Sequence, residues 1–195
     1  MKKTSKIALF TFLILVLIGT LFPLIWMFYS SLFPHTISLA SLTDIFKQKL
    51  TFNNYSEVFS QISFSRFLFN SIFVAFVVTL GNLIFCSLVG YAFARKNFSL
   101  KKTLFVSVIL VLMIPVHILI IPLFILIKFF GWYDTYWALI VPWLVNPLGI
   151  FLMRQYIEVL PKDLEEAARI DGAGEFKILF KVVLPLCKPA LAVVA

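Results

Sequence analysis

LPKDLEEAARIDGAGEFKILFKVVLP, residues 160–185, is the stretch on which the reading of this chain turns. It is the only long polar segment after the first third of the sequence. Pro161 suits the first turn of a helix, where its missing N–H costs nothing, and Gly172 and Gly174 supply stop signals about three turns later. On the short helix between them Lys162, Glu165, Glu166 and Arg169 fall at i, i+3, i+4 and i+7, so they share one face. Leu164, Ala167 and Ala168 lie on another. Alanine-sized side chains let a second surface approach the backbone closely, and the glycines let the chain turn sharply into Glu175–Val183. Such an element suits a plug for a groove. The plainer alternative is a loop resting on a membrane surface with Glu165 and Arg169 paired internally, an i, i+4 contact worth about 0.2–0.5 kcal/mol.

What surrounds this stretch is membrane-like. Hydrophobic residues make up 62% of the 195 and charged residues 13%, against about 45–50% and 25% in soluble domains. Twenty-three phenylalanines and a mean hydropathy of +1.02 point the same way. The fold class expected is therefore all-α, a polytopic bundle of transmembrane helices in a single domain, residues 1–195. The +8 charge is spread between apolar runs instead of forming one patch, which fits membrane topology and excludes nucleic acid as a partner. Cys86 and Cys187 read as small buried hydrophobes, not a disulfide framework or a metal site. No catalytic constellation, metal cluster or phosphate-binding glycine loop is visible, so neither an enzyme activity nor a cofactor is expected.

In order, residues 7–29 form a first span after Lys2, Lys3 and Lys6, long enough to cover roughly 30 Å of hydrocarbon. A cleaved signal peptide is the rival, but its apolar region should be shorter and Ser30-Ser31 is a poor cleavage site. Phe33–Arg66 is polar and external, with His35 an exposed loop residue. Residues 67–93 form a second span with Gly81, Ser87 and Gly90 offering small faces for close helix contact; Asn70 and Asn82 are read as interhelical hydrogen-bonding groups. Residues 103–127 form a third, interrupted by Pro115 and Pro122, and residues 136–152 a fourth, broken by Pro142, Asn146, Pro147 and Gly149. The polar loop occupies 158–185, and residues 186–195 begin a fifth span.

Topology follows from charge. With the N-terminus inside, thirteen of the seventeen basic residues lie on the cytoplasmic side, and only Lys47, Lys49, Arg66 and Lys128 lie outside, as the positive-inside rule demands. The 158–185 loop then faces the cytoplasm. None of the four complete spans holds an Asp, Glu, Lys or Arg, which weakens a proton- or sodium-coupled secondary transporter. His117, between two prolines, and Asn146 are the candidate contacts along a substrate pathway; each has an ordinary use in pairing freed carbonyls.

Glu166-Ala167-Ala168, then Gly172, Val182 and Leu184-Pro185, resembles the EAA loop of membrane subunits of binding-protein-dependent ABC importers, and the Glu165–Gly172 run resembles the maltose-type sugar permeases among them. Phe52-Asn53-Asn54-Tyr55, the Gly90–Arg95 end of the second span and Met153–Tyr156 resemble the same family. Val182 departs from its usual isoleucine. The resemblance implies a multi-pass subunit of a bacterial inner membrane that carries a sugar and does no bond chemistry. It implies as partners a homologous permease subunit, two ATP-binding subunits gripping the loop, and an external solute-binding protein. It assigns the coupling role to Glu166, Ala167, Ala168, Arg169, Asp171 and Gly172. It also implies a sixth span, so that roughly 80 residues would follow, two spans of about 20 residues each plus loops. A permease for another small solute such as a polyamine, a secondary transporter and a purely structural membrane subunit are the alternatives.

Overall fold

A computed structural model describes residues 3–33, 50–61 and 63–195. The expected external loop falls largely outside the described residues, His35, Lys47 and Lys49 included. Every regular element among the described residues is helical. Residues 1–68 and 69–195 form two compact units.

In the first unit, α1 (Lys3–Ser31) carries Pro23 in its interior and exposes its side chains from Leu9 to Phe28, a surface suited to lipid. Its last carbonyls have no partner within the helix. Asn54, in α2 (Asn53–Gln61), supplies one: its amide donates to the Ser31 carbonyl at 2.8 Å and the Phe33 carbonyl at 2.5 Å. The Ser31 and Tyr55 hydroxyls meet at 2.6 Å.

The second unit is organised by α3 (Phe64–Arg95), an unbroken helix of 32 residues that belongs to this unit from Phe69 on. After it come α4 (Lys101–Leu112), α5 (Val116–Phe129), the short α6 (Tyr136–Ile140) with a 3₁₀ turn at Val141–Trp143, and α7 (Pro147–Val159). Then α8 (Asp163–Ile170) precedes a continuous helical path: α9 (Glu175–Ile178), a π turn at Leu179–Val183, α10 (Leu184–Leu186) and α11 (Lys188–Val194). The π turn lies just before Pro185, whose ring crowds the carbonyl four residues back and offers it no N–H.

Contacts between α3 and the α6–α7 stretch run in order along both. Asn70 accepts from the Tyr136 hydroxyl at 2.6 Å, and Asn82 donates to the Trp143 carbonyl at 2.8 Å. A Cβ added to Gly90 would lie 2.7 Å from the Met153 Cβ, and one added to Gly149 would lie 2.8 Å from the Cys86 sulfur. Arg95 ends the series against the Leu160 carbonyl at 2.7 Å. These helices therefore run parallel, with the backbones closest at Gly90 and the Cys86 side chain filling the space over Gly149. This is the small-residue packing that works in lipid, where no hydrophobic drive separates helix from solvent.

Parallel α3 and α6–α7 require the chain between them to return across the layer. The run expected as one span, 103–127, makes that return as two helices bent by 104° at residues 113–115. Pro115 starts α5 with extended backbone, φ −60° and ψ 127°, whereas Pro122 sits inside α5 without ending it. The fourth run continues helically to Val159, past the expected end at 152. At the Arg95 end of α3, Tyr91, Phe93, Met153, Ile157, Ile178, Leu179, Val183 and Cys187 are buried in one apolar cluster.

Candidate functional site

The polar loop is built on that cluster. Its helix, α8, carries Asp163, Glu165 and Glu166 in the first turn and Arg169 in the last, the order that complements the helix dipole. It ends in a Schellman motif. Gly172 takes φ +77°, the Gly172 N–H donates to the Arg169 carbonyl at 3.1 Å, and the Ala173 N–H donates to the Ala168 carbonyl at 2.9 Å. Only a residue at ease in the left-handed region closes a helix this way, and Gly172 meets that need. Ala168 and Ala173 pack together against the buried cluster.

Charges then separate into two sets. Glu165 is 5% exposed, and its partner is not Arg169, the i, i+4 neighbour that the plainer alternative paired with it, but Arg95, 70 residues away. The Arg95 Nε donates to Glu165 Oε1 at 2.5 Å, and both side chains are buried. The Arg95 Nη2 holds the Leu160 carbonyl at the entry to the loop. The Tyr91 hydroxyl, one turn back on α3, lies 3.2 Å from Glu165 Oε2 and 3.0 Å from Glu175 Oε2; with one proton it serves one carboxylate at a time. Arg169 turns instead to Glu175 at 3.1 Å, and Lys96 reaches the same carboxylate at 2.6 Å. The Lys96 ammonium holds the Glu175 carboxyl at about 2, well below its ordinary value, assisted by Tyr91 and Arg169 and opposed by partial burial. Breaking the buried Arg95–Glu165 pair from one side should cost about 3–5 kcal/mol, because the remaining charge stays buried and uncompensated. The exposed pairs around Glu175 are each worth about 0–1 kcal/mol.

Large apolar residues of the loop stand exposed among its charges. Ile170 is 87% exposed, Phe176 71% and Leu164 46%, beside exposed Glu166, Ala167, Arg169, Asp171 and Gly172, while Ala168 is half-buried. Of the residues picked out from sequence, five therefore stand at the surface and Ala168 helps seat the helix. Sequence reasoning did not assign Tyr91, Arg95, Lys96 or Glu175 to the site, and gave Glu165 only a place on the charged face and, in the plainer alternative, a pairing with Arg169. One signal was present: Tyr91 and Arg95 stand at i and i+4, which puts both on one face at the C-terminal end of α3.

The two pathway candidates separate. Asn146 caps α7, accepting from the Leu148 N–H at 2.9 Å, and lines a crevice of about 560 Å³ with Asn82, Trp143 and Pro147 beside the bend between α4 and α5. Val116 and Leu119 line it too, but His117 does not; it is exposed on the first turn of α5.

Among the described residues the chain is helical, with helices long and apolar enough to cross a membrane and a polar loop locked to the Arg95 end of α3. A family model described as "Binding-protein-dependent transport system inner membrane component" matches residues 86–195, and the chain belongs to that family. The arabinooligosaccharides transport system permease protein AraQ of Bacillus subtilis is 34% identical over 188 residues, covering 95% of this chain and 67% of its own. The trehalose/maltose transport system permease protein MalG of Thermococcus litoralis is 38% identical over 191 residues, covering 96% and 68%. Among solved structures, a chain of a bacterial ABC transporter involved in the import of the acidic polysaccharide alginate superposes with a TM-score of 0.85 at 25% identity, covering all of this chain and 70% of that one. The chain spans about two thirds of the length of these relatives. It is thus a permease-family membrane protein that works with other subunits.

Proposed function

We propose that this chain is the membrane permease subunit of an ATP-driven importer, that its cargo is a sugar delivered by an external solute-binding protein, and that α8 is the element gripped by an ATP-binding subunit. A homologous permease subunit and two ATP-binding subunits complete the assembly. Glu166 and Ala167 meet the ATP-binding subunit together with Leu164 and Ile170. Ala168 and Gly172 shape the helix that presents them, and Arg169 and Asp171 frame its end. The membrane is a bacterial inner membrane, with the N-terminus and the loop both cytoplasmic.

The observation that carries this reading is a charged, capped helix that leaves Leu164 and Ile170 exposed, with Phe176 exposed on α9 just beyond its cap. Water disfavours Ile170 and Phe176 where they stand, and a groove on a partner would cover them. The sugar-named relatives support the cargo class. The parallel run of α3 and α6–α7 supports the orientation, since it returns the loop to the side of Arg95 and of the basic turn after it. Nucleotide then needs to favour one state of the assembly by a few kcal/mol to tip the spans between inward-open and outward-open forms. ATP hydrolysis belongs to the separate subunits.

The test is uptake of labelled oligosaccharides into proteoliposomes holding the whole assembly. ATP-dependent uptake, lost in Glu166→Lys or Ile170→Asp together with binding of the ATP-binding subunit, is expected. Uptake driven by an ion gradient without ATP, uptake of a polyamine instead of a sugar, or transport untouched by both substitutions would each contradict the proposal in part or whole.

A further inference from the structure

The loop is covalently continuous with α7 through Leu160–Lys162 alone, and Leu160 there is extended, φ −68° and ψ 140°. A helix hung from such a link would swing when pulled. Ala168 and Ala173 seat it on the apolar cluster, and one side chain from α3 makes a polar bridge across the link. Arg95 holds the Leu160 carbonyl with Nη2 at 2.7 Å and Glu165 Oε1 with Nε at 2.5 Å, so one planar guanidinium bridges the hinge and the helix beyond it. Lysine, a point charge on a flexible stem, lacks the fork that fixes two acceptors at once. Tyr91 backs the same carboxylate from one turn earlier on α3. The other polar contacts between this end of α3 and the loop centre on Glu175, where Lys96 and Glu175 are 39% and 45% exposed, a weak and screened pairing.

We propose that Arg95 is the positioning residue of coupling: it clamps the hinge at Leu160 so that displacement of α8 is delivered to α3 as rigid-body motion instead of being absorbed at the link. Tyr91 assists by holding Glu165 in the clamp. This rests on the reading of α8 as the gripped element. It adds that force enters the membrane through α3, which runs unbroken for 32 residues and touches α6–α7 along its length, and not through the covalently attached α7 alone.

The experiment uses the whole assembly in proteoliposomes, measuring sugar uptake and ATP hydrolysis on the same vesicles. Arg95→Gln should leave the ATP-binding subunits bound and hydrolysing while uptake per ATP falls roughly tenfold, within the span of known coupling effects. A residue that merely stabilised the fold would reduce the amount of assembled transporter and leave that ratio alone. Uptake per ATP within about twofold of wild type in assembled Arg95→Gln would overturn the clamp. Should Arg95→Gln fail to assemble, Tyr91→Phe, which changes no charge, decides by the same ratio: a fall of about twofold or more supports the clamp, and an unchanged ratio overturns it. Wild-type vesicles with no ATP-dependent uptake would sink the wider reading and the clamp with it. Normal coupling in Arg95→Gln, with Glu166→Lys still releasing the ATP-binding subunits, would sink the clamp alone.

Discussion

Replacing Gly172 by alanine should loosen the end of α8 without crowding anything. A Cβ at this position meets no atom within 4 Å, but the backbone holds φ at +77°, where an L-residue is disfavoured by roughly 1–2 kcal/mol. The cost falls on two hydrogen bonds, from Gly172 to Arg169 at 3.1 Å and from Ala173 to Ala168 at 2.9 Å. Since 1–2 kcal/mol is a factor of about 5–30 in a two-state population, amides 171–173 should exchange faster by that factor, read by hydrogen exchange and mass spectrometry on the protein in lipid nanodiscs. Gly174→Ala is the control. It too has open space, but its φ is −72°, which alanine adopts freely, so protection should hold or rise slightly. Gly172→Asn should fall between them, because asparagine tolerates the left-handed region better than alanine. Equal protection in Gly172→Ala and wild type, or equal damage from both alanines, would refute the cap assignment.

Gly90→Ala should lower thermal stability by about 1–3 kcal/mol through overpacking, since its Cβ would stand 2.7 Å from the Met153 Cβ and 3.1 Å from the Arg154 backbone nitrogen; a melting midpoint in detergent checks it against Gly174→Ala. Asn82→Leu leaves the Trp143 carbonyl, held at 2.8 Å, without its donor, and should destabilise by about 1–3 kcal/mol, measured the same way. The lowered Glu175 carboxyl sets a pH dependence. The unfolded chain binds its proton near 4.5 and the folded chain near 2, so the stabilisation from Lys96, Tyr91 and Arg169 is present above about pH 5 and lost as pH falls towards 2. Glu175→Gln should therefore melt below wild type at neutral pH and converge with it in acid; a gap that widened on acidification would show the sign to be wrong.

The helices were legible in the sequence because uninterrupted apolar runs of spanning length leave the backbone little alternative in lipid. The loop was legible because Pro161 and Gly172 bound a short amphipathic pattern. Other features depended on tertiary partners that no local pattern encodes. Glu165 has Arg169 one turn away and would pair with it on an isolated helix, yet the structure offers Arg95 in a buried setting and leaves Arg169 to Glu175. Pro115 and Pro122 look alike in the sequence, but only Pro115 stands at the bend. Asn82 was read as an interhelical hydrogen-bonding group, and it is one; that it would meet the carbonyl of Trp143 followed only from the parallel alignment of α3 with α6–α7. Ile170 and Phe176 passed unnoticed because exposed apolar residues are common in any sequence, and they acquire meaning only once α8 and α9 are seen to leave them exposed.

The claim beneath the whole account is that α8 offers its outward face to an ATP-binding subunit. A photo-crosslinking residue placed at Ile170, in membranes that contain the complete transporter, tests this directly. The account predicts a crosslink to the ATP-binding subunit whose yield changes when nucleotide is added. Crosslinks only to lipid or to the external binding protein, or none that respond to nucleotide, would contradict it.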